Sequence, residues 1–187
     1  MIAWRNHNRA YGWVAIALHW LMALAIIAMF GLGLWMRTLD YYHHWYHAAP
    51  ELHKAVGMVL LALLIFRLGW RWSNPLPRPI GPAWGQRVAL LVHRLHYLLL
   101  LALMVSGYLI PTAKGAGIDL FGLCKIPALV MINDHTADLV GLAHRYLAWA
   151  VMVLAGLHAA AALKHHWIDR DATLRRMLSP NPHNQGV

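Results

Sequence analysis

Four apolar runs divide the chain, separated by short polar, aromatic or proline-rich stretches. Trp13 to Met36 carries no formal charge and is long enough to cross about 30 Å of hydrocarbon with some tilt. A cleavable signal peptide would have a shorter core and a small-residue cleavage site, so this run predicts a retained first helix over about 12–36. The second helix is expected over 53–72, opening at His53. Its uncharged core, Ala55 to Phe66, reaches spanning length only if Arg67 and Arg71 extend toward the head groups. NPLPRPIGP at 74–82 breaks that helix. The third helix starts at Trp84 or Arg87, covering about 87–110, with Pro111 marking its end. Thr112 to Asp138 reads as a long loop with room for a short interfacial helix, and the fourth helix covers 140–166 ahead of a polar tail. The pattern predicts an all-α membrane protein, a four-transmembrane-helix bundle forming one domain over 1–187.

Composition agrees, with 60% hydrophobic and 12% charged residues. The net charge of +9 would suggest nucleic acid as a partner if its basic residues formed one face, but they sit between and beyond the apolar runs. They are topology signals, and no nucleic-acid partner is expected. Arg5, Arg9, Arg67, Arg71, Arg78, Arg87, Arg94, Lys164, Arg170, Arg175 and Arg176 fall on one side of the four spans. Arg37, Lys54, Lys114, Lys125 and Arg145 fall on the other, with Asp40, Glu51, Asp119, Asp134 and Asp138. The positive-inside rule then puts both termini in the cytoplasm of a bacterial inner-membrane, multi-pass protein. Cys124 is the only cysteine, which excludes an intrachain disulfide, a Cys-ligated iron–sulfur cluster and a CxxCH haem attachment.

The candidate chemistry lies in the histidines, fourteen in all. His144 and His158 sit on one apolar helix, fourteen residues apart. That spacing turns them to within about 40° of each other and separates them by about 21 Å along the axis. Ionisable groups inside a membrane are costly and usually functional. With alternating helix directions, His19 shares the inner level with His158, and His53 shares the outer level with His144. Two neutral imidazoles at one depth on neighbouring helices suit the axial positions of a haem iron. Small residues flank all four: Ala15 and Ala23 at His19, Gly57 after His53, Gly141 and Ala148 at His144, and Ala155, Gly156, Ala161 and Ala162 around His158. Ordinary membrane helix packing also favours small residues.

IALHW around His19, ELHKAVG around His53, PTAKGAGIDLFGL after the third helix, and LAHRYLAWAVMVLAGLHAAAALKHH followed by IDRDATLRRML resemble the bacterial cytochrome b561 family over nearly the whole chain. The resemblance implies four membrane helices and two non-covalent b-type haems, with His19, His53, His144 and His158 as iron ligands. It also implies an electron-transfer oxidoreductase working between ubiquinone or ubiquinol and a second redox partner. One close branch of the family oxidises superoxide. The outward acids set against the outward bases offer no clear funnel for that anion. The rival reading is a haem-bearing anchor that passes electrons for a partner dehydrogenase or hydrogenase.

Other candidates carry two readings each. His93 and His96 are either a proton relay or hydrogen-bond donors to a propionate or quinone, or they are interfacial histidines at a helix start. Arg67 and Arg71 either pair with propionates or reach for the head groups. His43, His44 and His47 form an HHxxH cluster that is either a transition-metal site or a set of surface histidines, and no carboxylate or cysteine at metal-site spacing completes it.

Overall fold

A computed structural model describes residues 4–180. Its order is α1 (Trp13–Trp35), α2 (Ala48–Trp72), α3 (Ala83–Thr112), β1 (Ile118–Leu120), β2 (Cys124–Ile126) and α4 (Asp134–Trp167), then a 3-10 turn at Arg175–Met177. All four α-helices are long and apolar enough to cross a membrane. They expose apolar side chains outward, among them Leu24, Ile65, Leu91, Leu98, Val153 and Leu157. In water such a surface would drive aggregation; in a bilayer it meets acyl chains.

Three boundaries differ from the sequence expectation. Helix α2 begins five residues before His53, because Pro50 occupies the first turn, where its missing N–H would be unpaired anyway. Helix α3 continues through Pro111 to Thr112. Pro111 deprives the carbonyl of Gly107 of its helical partner, and Gly107 adds no side chain to the crowded turn. Helix α4 starts at Asp134, capped by Asn133, whose Oδ1 accepts the Thr136 amide at 2.8 Å. The segment before it forms a β-hairpin in place of the interfacial helix, with Ile118 opposite Ile126. Phe121 and Gly122 both adopt positive φ, and Asp119 Oδ2 accepts the Gly122 amide at 2.7 Å, a local turn that competes with helix.

Close backbone packing runs in the order α1–α2–α3–α4. The buried core of Met22, Leu60, Leu64, Leu100, Met104 and Val151 draws on all four helices. In each helix these residues lie between the inner and the outer histidine levels, so the core forms an apolar plug separating the two.

The helix ends on the side of His19 and His158, which the expected topology makes the inner side, are laced together by the termini. Asn6 Oδ1 accepts the Gly12 amide at 2.9 Å, and a Cβ on Gly12 would lie 2.4 Å from the Trp4 carbonyl, so that close turn requires glycine. The tail folds back over the same face. His165 meets Asp171 at 2.7 Å and Asp169 at 3.1 Å, Lys164 also binds Asp169, and Arg176 Nη1 donates to the Arg78 carbonyl at 2.7 Å. Burial alone would raise the Asp171 carboxyl, but hydrogen bonds from Thr173 and His165 outweigh it and hold the group below its usual value. A depressed carboxyl contributes its stabilisation above the ordinary carboxylate pKa and loses it as pH falls through the lower folded value. The latch is therefore fully present at neutral pH. Asp171→Asn should loosen the tail, and trypsin at neutral pH should then cleave after Arg175 and Arg176 faster than in the parent chain. Equal cleavage rates would show that Asp171 does not hold the tail.

Candidate functional site

The helices deliver the histidines in two layers. In the outer layer His53 of α2 and His144 of α4 face each other with ring centres 6.3 Å apart and planes inclined at 77°. In the inner layer His19 of α1 and His158 of α4 stand at the same 6.3 Å, inclined at 68°. Each pair bridges α4 to a helix that is not its close backbone neighbour, so a gap remains between the helices where the imidazoles meet.

In the outer layer the hydrogen bonds fix which ring nitrogen of His144 is free. The Leu103 carbonyl lies 3.0 Å from His144 Nδ1 and can only accept, so Nδ1 carries the proton and Nε2 keeps its lone pair. Ser106 Oγ supports the arrangement, donating to the same carbonyl at 2.8 Å and lying 3.1 Å from Nδ1. His53 Nδ1 is buried without a hydrogen-bond partner, an expensive state for a polar atom that forms no further bond. Beside the pair lies a cavity of about 550 Å³, walled mainly by apolar residues such as Met29, Phe30, Leu103, Met104 and Trp149. That size and lining suit a large flat apolar group. Gly33 and Gly107 keep its walls thin, since a Cβ would come within 3.3 Å of the His53 ring and 2.9 Å of the His144 ring.

The cavity mouth departs from the expectation of no cationic funnel. Arg37, Lys54, Arg145 and Asp138 line it, and since Lys54 is paired with Glu51 the excess of positive charge comes from Arg37 and Arg145. Of the other outward acids, Glu51 pairs with Lys54, Asp134 pairs with Lys114, and Asp119 and Asp40 accept local backbone amides. The balance at the opening is positive although the loops as a whole are mixed.

The inner layer is built differently. Arg67 Nη2 lies 3.1 Å from His19 Nδ1, and since a guanidinium only donates, that nitrogen is the acceptor. His93 and His96 of α3 place their ring centres 5.5 and 5.4 Å from His158. His96 Nδ1 donates to the Val92 carbonyl at 2.9 Å, leaving its Nε2 as an acceptor. Arg67 and Arg71 each lie 5.8 Å from the Tyr97 ring centre. The structure thus gathers His19, His158, His93, His96, Arg67 and Arg71 at one level. It does not gather the HHxxH cluster. His43 stacks on His44 at 4.7 Å, while His47 packs on Tyr41 and Tyr46.

A family model described as prokaryotic cytochrome b561 matches residues 10–180. The chain belongs to the prokaryotic cytochrome b561 family. It is 44% identical over 189 residues to cytochrome b561 homolog 2 of Escherichia coli (strain K12), covering all of both chains. It is 33% identical over 175 residues to a probable superoxide oxidase, CybB, of Yersinia pestis, covering 91% of this chain and 97% of the relative. Cytochrome b562 of Cereibacter sphaeroides is 30% identical over 174 residues, at 91% and 96% coverage. Membership makes the chain a haem-binding membrane cytochrome of electron transport, with haem of the b type, and the buried unpaired nitrogen, thin-walled cavity and available lone pair of the outer layer fit that group.

Several residues of the site escaped the sequence reading. Ser106 and Gly107 interrupt an otherwise apolar helix, the one local signal that the His144 ring packs there. His165, Asp169 and Asp171 bring their ligand atoms within 4.8 Å of one another, but they are engaged as the tail latch. Gly107→Ala should push the His144 ring from its place at a cost of about 1–3 kcal/mol. The expected result is less haem per chain by pyridine haemochromogen assay, whereas full haem content would show that the ring has room to move.

Proposed function

We propose that the chain is a dihaem b-type cytochrome that passes single electrons across the bilayer between the ubiquinone pool at the inner face and a one-electron partner at the outer face. The observation that carries this is the repeated 6.3 Å separation of His19 from His158 and of His53 from His144. A metal–imidazole bond of about 2 Å on each side places two ring centres about 6 Å apart, so both pairs stand at the span of a bis-imidazole site. His93 and His96 lie nearer to His158 than that span, which supports His19 as its partner.

A b-type haem held by His19 and His158, and another held by His53 and His144, would each supply a one-electron iron couple suited to outer-sphere transfer. The chain's residues do the rest. His144 and His158 fix the two sites about 21 Å apart along α4, and the Met22–Val151 core keeps water from the space between them. For His19 Nε2 to offer its lone pair, Arg67 has to leave Nδ1, and it is then available to a propionate. Ubiquinone takes up two electrons and two protons on becoming ubiquinol. His96, with an acceptor nitrogen, and His93 stand at the level where those protons enter or leave.

Superoxide is the outer donor that the site favours. Its one-electron oxidation releases only dioxygen, so two superoxide anions match one quinone. The excess positive charge of Arg37 and Arg145 at this cavity raises the local concentration of such an anion, and the relative named a probable superoxide oxidase supports the same reading.

Purified protein should hold two low-spin haems per chain. His158→Ala should remove one and leave the other, and a variant that keeps both would overturn the inner pairing. Haem reduction by superoxide should slow on Arg37→Gln and weaken with rising salt; a salt-independent rate would rule out electrostatic guidance. Fusion of green fluorescent protein to the C-terminus should be fluorescent and fusion of alkaline phosphatase inactive, with the reverse result placing the termini outside.

A further inference from the structure

On the inner face Arg67, Arg71 and Arg176 have no carboxylate partner among the described residues. Each is at least half-buried. Arg67 and Arg71 belong to α2, and Arg176 arrives from the tail. The Tyr11 phenol lies within electrostatic reach of all three and of Tyr97; burial pushes it up, and Arg71 leads the cations that pull it back. Guanidinium groups gathered in a half-buried place call for an anionic or strongly accepting ligand. Two propionates would occupy Arg67 and Arg71 beside the histidines, leaving the Arg176 nitrogens not bound to the Arg78 carbonyl for another ligand.

Next to this cluster runs an apolar groove of about 450 Å³, lined by Trp13, Ile16, Ala17, Trp20 and Leu178. It lies between the start of α1 and the tail. Leu178 follows Arg176 by two residues and Met177 between them takes the Trp20 indole, so Arg176 flanks the groove. Trp20 ties them to the redox histidines. Its Nε1 donates to the Met177 carbonyl at 2.6 Å, and its ring meets His19 edge-on at 5.3 Å. A phospholipid would satisfy the cations without using the contact to His19. A quinone has an accepting headgroup and an isoprenoid chain, and it has to come close to that histidine pair.

We propose that Arg176 binds the quinone headgroup oxygen and that the groove of Trp13, Ala17, Trp20 and Leu178 holds the isoprenoid chain, so that the C-terminal tail is one wall of the quinone site. The assignment rests on ubiquinone being the inner redox partner and adds where and by which residues it is held. The entry side is the α1–tail edge of the bundle.

The test uses the full haem-loaded chain in phosphatidylcholine nanodiscs, with haem reduction by decylubiquinol and by headgroup-only ubiquinol-0. Ala17→Phe and Leu178→Trp fill the groove; both should raise KM for decylubiquinol about tenfold and leave KM for ubiquinol-0 unchanged. Arg176→Gln should raise KM for both quinols while haem content stays at the parent value. A photoactivatable azidoquinone should label residues 11–20 or 174–178. Unchanged decylubiquinol KM in both groove variants, or labelling confined to α2 and α3, overturns the site. Competition by cardiolipin that disappears in Arg176→Gln would assign the cluster to a lipid headgroup and also overturn it. If neither quinol reduces the parent protein, the failure lies in the quinone reading itself.

Discussion

Imidazoles inside a bilayer have to be satisfied there, because no water is at hand to solvate them. That constraint shapes the bundle. Helix α4 packs its backbone on α3 and meets α1 and α2 through side chains, with His158 against His19 and His144 against His53. Closer approach of α4 to α1 or α2 would collapse the gaps in which the rings meet. The small residues near the histidines, Gly33 and Gly107 above all, let the rings sit against backbone while the helices stay apart.

The two layers solve the same problem with opposite electrostatics. The outer layer is neutral and apolar within, its tautomer set by the Leu103 carbonyl, and its charge lies at the mouth. The inner layer brings guanidinium groups up to the imidazoles themselves. A cation beside a redox centre favours its reduced form, so in the proposed function the guanidinium groups in contact with the inner imidazoles would favour reduction there, while the arginines of the outer cavity lie at its lining. In the function proposed above, the apolar plug between them would keep protons to the level where His93 and His96 stand beside His158.

The tail has more to do than end the chain. Its acidic residues lock onto Lys164 and His165, its backbone takes the Trp20 indole, and its Arg176 reaches the loop after α2. These contacts join the inner ends of α1, α4 and the loop between α2 and α3. A lipid-soluble partner then meets a built edge and not a frayed bundle end.

Much of this was legible in the order of residues. Hydropathy located four spans because backbone polar groups in lipid must bond within a helix, which forces long uninterrupted apolar runs. Alternating helix direction then sorted His19, His53, His144 and His158 by depth, since length along a helix converts directly into position across the membrane. Lateral placement was not legible. Which helix packs on which, and whether His93, His96 or His19 stands at ligand span from His158, depends on rotations that hydropathy does not encode. The fixing of the His144 tautomer by Leu103, the thin wall at Gly107, and the meeting of Trp20 with the Met177 carbonyl join residues far apart in the chain. The hairpin at Ile118–Ile126 and the excess positive charge of Arg37 and Arg145 at the outer cavity were decided in the same way. Depth in the membrane is a one-dimensional property that a sequence carries, whereas the side chains that share a depth are brought into contact only by the packing of the helices.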